Sequence, residues 1–211
     1  DFDPRIGHVP YSGFSNSSWT GILMNSKGVN LTTHSSSLSA YSYSLAKQGE
    51  DAKTGSHGVF TRSPLALDPS SVAVQSAQKA LDMLGATQPK TGTWTVVLSH
   101  EVAAELMSLA VAHFSAKALD EGTSLLKDKK GEAVFSPLLT WVDDPFRIEL
   151  PGARPYDSEG AASQITPLVS KGILQNYLTN SFYARKLNLP HTASAVRGSG
   201  ELDVGESNLI I

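Results

Sequence analysis

The first 67 residues carry β-forming side chains in runs that polar turns separate. Trp19–Asn25 leads into the turn Asn25-Ser26-Lys27-Gly28, and a long stretch rich in Ser, Thr and Tyr follows from Val29 to Ala46. Glycine at the fourth turn position, with β-formers on both sides, predicts a hairpin. The polar segment Lys47–Gly58 predicts a second turn before a strand at Val59–Arg62. The serine density also fits a linker, but the interleaved Tyr, Leu and Val residues favour strands.

Helical periodicity begins at Asp68-Pro69, where Asp is a preferred N-cap and Pro a preferred first helical residue. An apolar stripe follows, and Gly85 predicts the end of this helix. Farther along, Trp94–Leu98 is a short apolar run that predicts a central strand of a sheet. Glu101–Leu119 predicts a second helix, which is apolar nearly all round and is therefore expected to be buried on most sides.

The last part of the chain predicts mainly β structure. Strands are expected at Leu138–Val142 and Leu202–Ile211, and a hairpin is expected around Ser170-Lys171-Gly172. Ser181–Leu187 predicts a short helix, and the Pro- and Gly-rich segment Asp143–Tyr156 predicts a loop. The sequence therefore predicts an α+β fold, with antiparallel β-sheets packed against two or three helices.

Composition narrows the classes of function. The chain has 211 residues, 18% of them charged, and a net charge of −3, which gives no indication of a nucleic-acid or anionic-membrane partner. No apolar run reaches the roughly 18 residues that a membrane span needs. The absence of cysteine excludes disulfides and thiolate metal sites and suits a cytoplasmic protein. The start at Asp1 and the apolar run at Asn208–Ile211 lead us to expect a fragment of a longer protein.

Two histidines and a glutamate on the second helix suggest a metal site, but their spacing does not support it. His100 and His113 are thirteen residues apart, which is about 20 Å along a helix, and they fall on roughly opposite faces. They cannot share one metal ion, because zinc-binding helices place two histidines on adjacent turns. Glu101 fits an ordinary first-turn acid, and His113 fits a core histidine with a hydrogen-bond partner.

The loop carboxylates Asp143, Asp144, Asp157 and Glu159 leave two interpretations open. They could supply an acid/base pair, or they could be solvated turn residues. No nucleophile elbow, P-loop or dinucleotide fingerprint accompanies them. The basic residues near the C-terminal end are too few to indicate nucleic acid; they are Arg185, Lys186 and Arg197.

Several short motifs occur in the order found in a known family. They are Pro155–Gly160 (PYDSEG), Gln164, the hairpin residues Lys171–Leu174 and Tyr183–Leu187 (YARKL). Together they resemble the TldD/PmbA family, also called modulators of DNA gyrase. Three further segments are similar to its PmbA (TldE) branch: Asp1–Arg5, Glu101–Ala103 and Asp143–Pro145.

The resemblance implies a domain organisation. The family has an N-terminal domain before the region that this chain matches and more β structure after it, and we expect both to be missing from this chain. Residues 1–211 would be the central and C-terminal part, with β-hairpins at 1–67, a helix–strand–helix segment at 68–119 and mainly β structure at 120–211.

The resemblance also implies a chemistry and shows where this chain departs from it. TldD-like members are similar to zinc metalloproteases with an HExxxH helix, and they act with a TldE-like partner on small unfolded peptides. Leu106–His113 aligns with the family segment LLHEAVGH, so Ser108 stands at the first histidine and Leu109 at the glutamate, and only His113 is kept. One imidazole cannot hold zinc, and leucine cannot deprotonate a zinc-bound water.

We therefore predict a non-catalytic subunit without metal or cofactor. Its expected partners are a TldD-like zinc-bearing subunit, or a second copy in a homodimer, and a peptide bound by strand addition. Asp157, Glu159 and Arg185 are candidate contacts with peptide or partner. An active hydrolase with an unrecognised site and a structural or interaction domain unrelated to proteolysis remain the alternatives.

Overall fold

A computed structural model describes residues 2–198 and 200–211 and divides the chain into two compact units. The first unit comprises the chain up to Gly21, Thr32–Trp94 and Glu149–Pro151. The second comprises Ile22–Leu31, Thr95–Ile148 and Gly152–Ile211. Antiparallel sheets with a few helices make up the structure, which confirms the predicted α+β class.

The first unit contains a three-stranded sheet in the order β1-β2-β3. These strands are β1 (Ile6–Met24), β2 (Asn30–Gln48) and β3 (Asp51–Thr61). The predicted hairpin is confirmed, and Asn25 Oδ1 accepts hydrogen bonds from two amides of its turn. The predicted turn at Lys47–Gly58 is wrong, because only Gly49-Glu50 separates β2 from β3. Its residues instead alternate along a strand, with Thr54 and Ser56 exposed on one side and Lys53 and His57 half-buried on the other.

Helix α1 (Pro69–Asp82) begins at the predicted N-cap, because Asp68 Oδ1 accepts the Ser70 amide. The helix packs on β3. The contact is close: a Cβ at Gly55 would overlap the backbone of Ser76 and Ala80. Next to it, the Ser44 and Ser76 hydroxyls are hydrogen-bonded at 2.7 Å. One face of the sheet is therefore shaped to the backbone of the helix.

The core of the second unit lies around a four-stranded sheet in the order β6-β5-β4-β9. The strands are β4 (Trp141–Asp143), β5 (Thr166–Ser170), β6 (Ile173–Leu174) and β9 (Leu209–Ile210). A separate pair is formed by β7 (Ala195–Arg197) and β8 (Leu202–Val204). The helices of this unit are α2 (His100–Val111) and two shorter ones, α3 (Ala116–Asp120) and α4 (Ser181–Lys186). The fully buried side chains of the core include Phe114, Trp141, Leu168, Val169 and Leu174.

The predictions for this unit hold in part. The hairpin at Ser170–Gly172 is confirmed, with positive φ at both Lys171 and Gly172, as a two-residue turn requires. The helix at Ser181–Leu187 is confirmed as α4. The single strand predicted at Leu202–Ile211 is wrong: β8 and β9 belong to different sheets, because Ser207 and Asn208 between them are bonded to other segments.

The apolar middle of the chain departs most from prediction. Helix α2 (His100–Val111) ends in a 3₁₀ turn at Ala112–Phe114, and Ser115 then caps α3, so one helix to Leu119 is wrong. The expected burial is also wrong, because Val111 is the only buried residue of α2 and Leu109 is 72% exposed. Trp94–Leu98 forms no strand within this structure and is exposed throughout. In the described residues, no helix has the length and apolar character that crossing a membrane requires.

Candidate functional site

The three residues that the resemblance aligns with a zinc motif, Ser108, Leu109 and His113, lie on α2 and the turn after it. Ser108 is exposed, and its hydroxyl donates a 2.7 Å hydrogen bond to the Glu105 carbonyl. Leu109 points largely to solvent. His113 is half-buried, and its Nδ1 accepts a hydrogen bond from the Leu125 amide at 3.3 Å. Of its two ring nitrogens, only Nε2 does not take part in that bond. His113 thus has the hydrogen-bond partner that a structural histidine needs.

The first turn of α2 is an ordinary helix start. Ser99 is the N-cap, and its hydroxyl accepts the Val102 amide at 3.3 Å. Glu101 lies in the first turn, where a negative charge complements the helix dipole. His100 is exposed. Neither His100 nor His113 belongs to a group of three potential metal ligands in the described part of the chain.

Asp157 is a buried anchor that joins two segments of the second unit. The residue is only 2% exposed. Its Oδ1 accepts the amides of Glu159 and Ala161 at 2.9 and 3.0 Å, and its Oδ2 accepts the Ala195 amide at 3.1 Å. Both oxygens are therefore used to hold the turn at 157–161 against β7.

Glu159 extends this anchor to α4. Its Oε2 accepts the Ser181 amide, 2.8 Å away, at the first residue of the helix. The same oxygen lies 3.7 Å from His191 Nε2, and that nitrogen lies 3.3 Å from the Ser181 hydroxyl. Sequence reasoning missed His191, because no motif or spacing near it distinguishes it from a loop histidine.

The hydrogen bonds of Asp157, Glu159 and His191 limit what this cluster could do as a metal site or a catalytic triad. Its ligand atoms lie within 4.8 Å of one another, and it is the one such group among residues 2–198 and 200–211. Asp157, however, already accepts three amides. A Ser-His-acid triad is also excluded here, since Ser181 and Glu159 face the same His191 nitrogen and a triad needs them on opposite ones. The contacts in place are those of a structural tie between segments.

The other two loop acids lie at the end of β4 and have different partners. Asp143 is 3% exposed, and its Oδ1 accepts both the amide and the hydroxyl of Ser207, at 2.7 and 2.6 Å. Burial raises the pKa of this carboxyl above its ordinary value, and the hydrogen bonds from Ser207 oppose that shift. Asp144 Oδ1 accepts the Phe146 amide at 2.9 Å. The four acids thus divide between two separate sets of hydrogen bonds.

Arg185 is exposed on α4, where its Nε donates to the Ser181 carbonyl at 3.0 Å. The neighbouring Lys186 is paired with Asp120 at 2.6 Å. Arg185 therefore lies on the same short helix as Ser181, whose amide donates to Glu159. Asp157 is buried beneath the turn that carries Glu159.

The first unit has two further features suited to binding. Strand β1 is 19 residues long and stands at the edge of its sheet. On the open face, the ring of Tyr43 meets those of Tyr11 and Tyr41 edge-on, each pair with centroids 6.2 Å apart. These rings line an open groove of about 730 Å³ together with Thr54 and Ser56. An unpaired strand edge beside aromatic rings is suited to an extended chain.

Comparison with known proteins gives consistent matches along the sequence. Residues 1–84 match the PmbA/TldA metallopeptidase central domain, and residues 91–211 match the PmbA/TldA metallopeptidase C-terminal domain. The chain is 27% identical to the metalloprotease PmbA homolog of Buchnera aphidicola, over 91% of this chain and 43% of that protein. It is 25% identical to the metalloprotease PmbA of Escherichia coli O157:H7, over 92% and 43%.

Solved structures share the fold. A proposed modulator of a DNA gyrase from Thermotoga maritima superposes with a TM-score of 0.91 at 23% identity, covering 98% of this chain and 47% of that one. TldE from Thermococcus kodakarensis superposes with a TM-score of 0.79 at 21% identity, covering 94% and 46%. The chain therefore spans less than half the length of the relatives that it matches.

Proposed function

The chain belongs to the PmbA/TldD family of metallopeptidases, and from that membership we propose that it is a non-catalytic, TldE/PmbA-like subunit. In this role it supports the cleavage of small or unfolded peptides by a zinc-bearing, TldD-like subunit. The proposal rests on the sequence resemblance, in which Ser108 and Leu109 align with the first zinc ligand and the catalytic base of the family's HExxxH helix. The cysteine-free sequence suits the cytoplasmic location that we expect for it.

The residues around the motif do not fit a zinc ion. A catalytic zinc site needs three protein ligands, and the motif keeps one histidine. That histidine uses Nδ1 to accept the Leu125 amide, and the Ser108 hydroxyl is bonded within its own helix. Leu109 carries no group that could take a proton from water. Zinc chemistry would therefore come from the partner subunit.

Binding of the peptide is the contribution that we assign to this chain. In the first unit, the edge of β1 offers backbone donors and acceptors to an extended peptide, and the tyrosine-lined groove offers contacts for uncharged side chains. In the second unit, Glu159 and Arg185 remain proposed contacts with peptide or partner. Asp157 would act there through the turn that it holds, since its own carboxylate is buried.

The test is to co-purify this protein with a homologue that carries an intact HExxxH helix and to assay cleavage of an unfolded peptide with and without Zn²⁺. We expect cleavage by the pair, no cleavage by this protein alone, and zinc bound in proportion to the homologue. Metal-dependent cleavage by this protein alone would refute the proposal. If Glu159→Gln then abolished that activity, the alternative of an active hydrolase with an unrecognised site would replace the non-catalytic role.

A further inference from the structure

A small pocket opens at the surface of the second unit, between α3, the turn at 127–130 and the segment after α4. Its volume is about 340 Å³, and small-molecule sites span roughly 300–1,000 Å³. At about 30 Å³ for each water-sized group, the pocket takes about 11 non-hydrogen atoms, which is the size of a single amino acid. Its lining residues are separate from Asp157, Glu159 and His191.

The inner wall of this pocket is apolar. It is formed by Leu119, Tyr177, Leu187 and Leu189. Leu119 and Tyr177 are each 6% exposed, and the other two are half-buried against the same core. Tyr177 is held in place, because its hydroxyl donates a 2.6 Å hydrogen bond to the Leu126 carbonyl. The wall therefore offers a fixed surface to an apolar side chain of a ligand.

The rim of the pocket carries two charges of each sign, on Asp120, Lys127, Asp128 and Lys130. Asp120 is paired with Lys186 at 2.6 Å, and Lys130 Nζ donates to Asn176 Oδ1 at 3.1 Å. Within residues 2–198 and 200–211, the side chains of Lys127 and Asp128 make neither a hydrogen bond nor an ion pair. An unpaired ammonium group and an unpaired carboxylate are therefore carried by adjacent residues of the rim.

This pattern of charge fits a zwitterion. The lining charges cancel, so the pocket attracts neither anions nor cations as a class. The α-carbons of adjacent residues lie about 3.8 Å apart, and a free amino acid carries its two opposite charges on one carbon. We propose that the pocket binds a free apolar α-amino acid of the size of leucine. The side chain packs on the apolar wall, the carboxylate lies against Lys127 and the ammonium group lies against Asp128. This inference does not depend on the peptidase role.

Amide NMR spectra recorded during a titration with leucine test the proposal. We expect the amides of 126–130 and 187–189 to shift, with a Kd on the order of 1 mM for a ligand of this size. Glycine lacks the apolar side chain and should bind at least about tenfold more weakly. If these amides do not shift at about 20 mM leucine, or if glycine binds equally well, the proposal is overturned.

Two analogues of leucine test the two charge contacts. Leucinamide lacks the carboxylate, and N-acetylleucine lacks the ammonium group. Each should bind about fivefold more weakly than leucine, as expected for the loss of one exposed ion pair. If N-acetylleucine bound as tightly as leucine, the pocket would accept the last residue of a peptide, and the proposal of a free amino acid would be wrong.

Two variants assign these contacts to their residues. Lys127→Gln should weaken leucine about fivefold and leave leucinamide unchanged, and Asp128→Asn should weaken leucine similarly and leave N-acetylleucine unchanged. Asparagine tolerates the positive φ of 62° at Asp128, so the turn is kept. Lys129→Gln is the matched control, because Lys129 is also exposed but does not line the pocket. Equal weakening by Lys129→Gln and Lys127→Gln would refute the proposed contacts.

Discussion

Replacing Asp157 with asparagine should loosen the turn at 157–161 and β7 together. The carboxylate accepts three amides, two on Oδ1 and one, from Ala195, on Oδ2. An asparagine keeps one oxygen and can still accept the pair of amides on that side. Its amino group then faces the Ala195 amide, so that two donors meet where one hydrogen bond existed.

The size of the effect follows from these bonds. Hydrogen bonds to a charged group contribute about 1.5–3 kcal/mol each, and neutral ones about 0.5–1.5 kcal/mol. One charged bond is lost, its buried donor is left without an acceptor, and two others lose their charge. We expect Asp157→Asn to lower the free energy of unfolding by about 3 kcal/mol.

Urea denaturation measures the loss of stability, and amide hydrogen exchange localises it. The Ala195 amide should exchange faster in Asp157→Asn than in the unmodified protein. Asp144→Asn is the matched control, because Asp144 accepts one amide, that of Phe146, and an asparagine oxygen keeps that bond. It should cost less than about 1 kcal/mol. Equal costs for the two variants would show that the three hydrogen bonds do not anchor the turn.

Three further outcomes are expected. Gly55→Ala should destabilise the protein by about 1–3 kcal/mol in urea denaturation, because the added methyl group overlaps the backbone of α1. Gly58→Ala is the control and should leave stability unchanged, because its methyl group would lie 3.5 Å from the nearest atom, Cβ of Tyr41. Equal effects of the two substitutions would contradict this. Burial raises the pKa of Asp143 above 3.8, so the folded state binds this proton more tightly and the group's contribution to stability falls as pH rises above that value. Asp143→Asn should therefore gain stability relative to the unmodified protein over that range, and a pH-independent difference would be evidence against it. His113→Ala should cost about 1 kcal/mol through the lost Leu125 bond and leave the zinc content of the co-purified pair unchanged, as elemental analysis would show; loss of zinc would make His113 a ligand.

Local signals in the sequence were sufficient where each element depends on its own residues. The cap at Asp68 and the turn at Lys171-Gly172 were predicted correctly because their hydrogen bonds and φ angles are set within a few residues. Trp94–Leu98 and α2 were predicted as buried because their composition is apolar. Burial depends on which other parts of the fold pack against a segment, and the sequence of the segment itself does not show them.

The candidate site shows the same limit. Asp157 and Glu159 were selected as acids in a loop, but their partners Ala195 and Ser181 lie 38 and 22 residues away and give no local signal. His191 joins them only through the fold. The degenerate motif proposed at Ser108 and Leu109 depends only on residue identity at fixed spacing, and it stays a prediction.

The glycine contact between β3 and α1 also restricts how the chain can fold. Lys53, Gly55 and His57 alternate along β3 on the side that faces the helix, and only Gly55 lacks a side chain there. A two-residue slip of β3 would place a lysine or histidine where the helix backbone has to sit. Long strands rich in serine specify their register weakly. Packing of α1 on the sheet would therefore select the native strand register. Hairpins in a shifted register should remain without the helix packed on them until the strands re-pair.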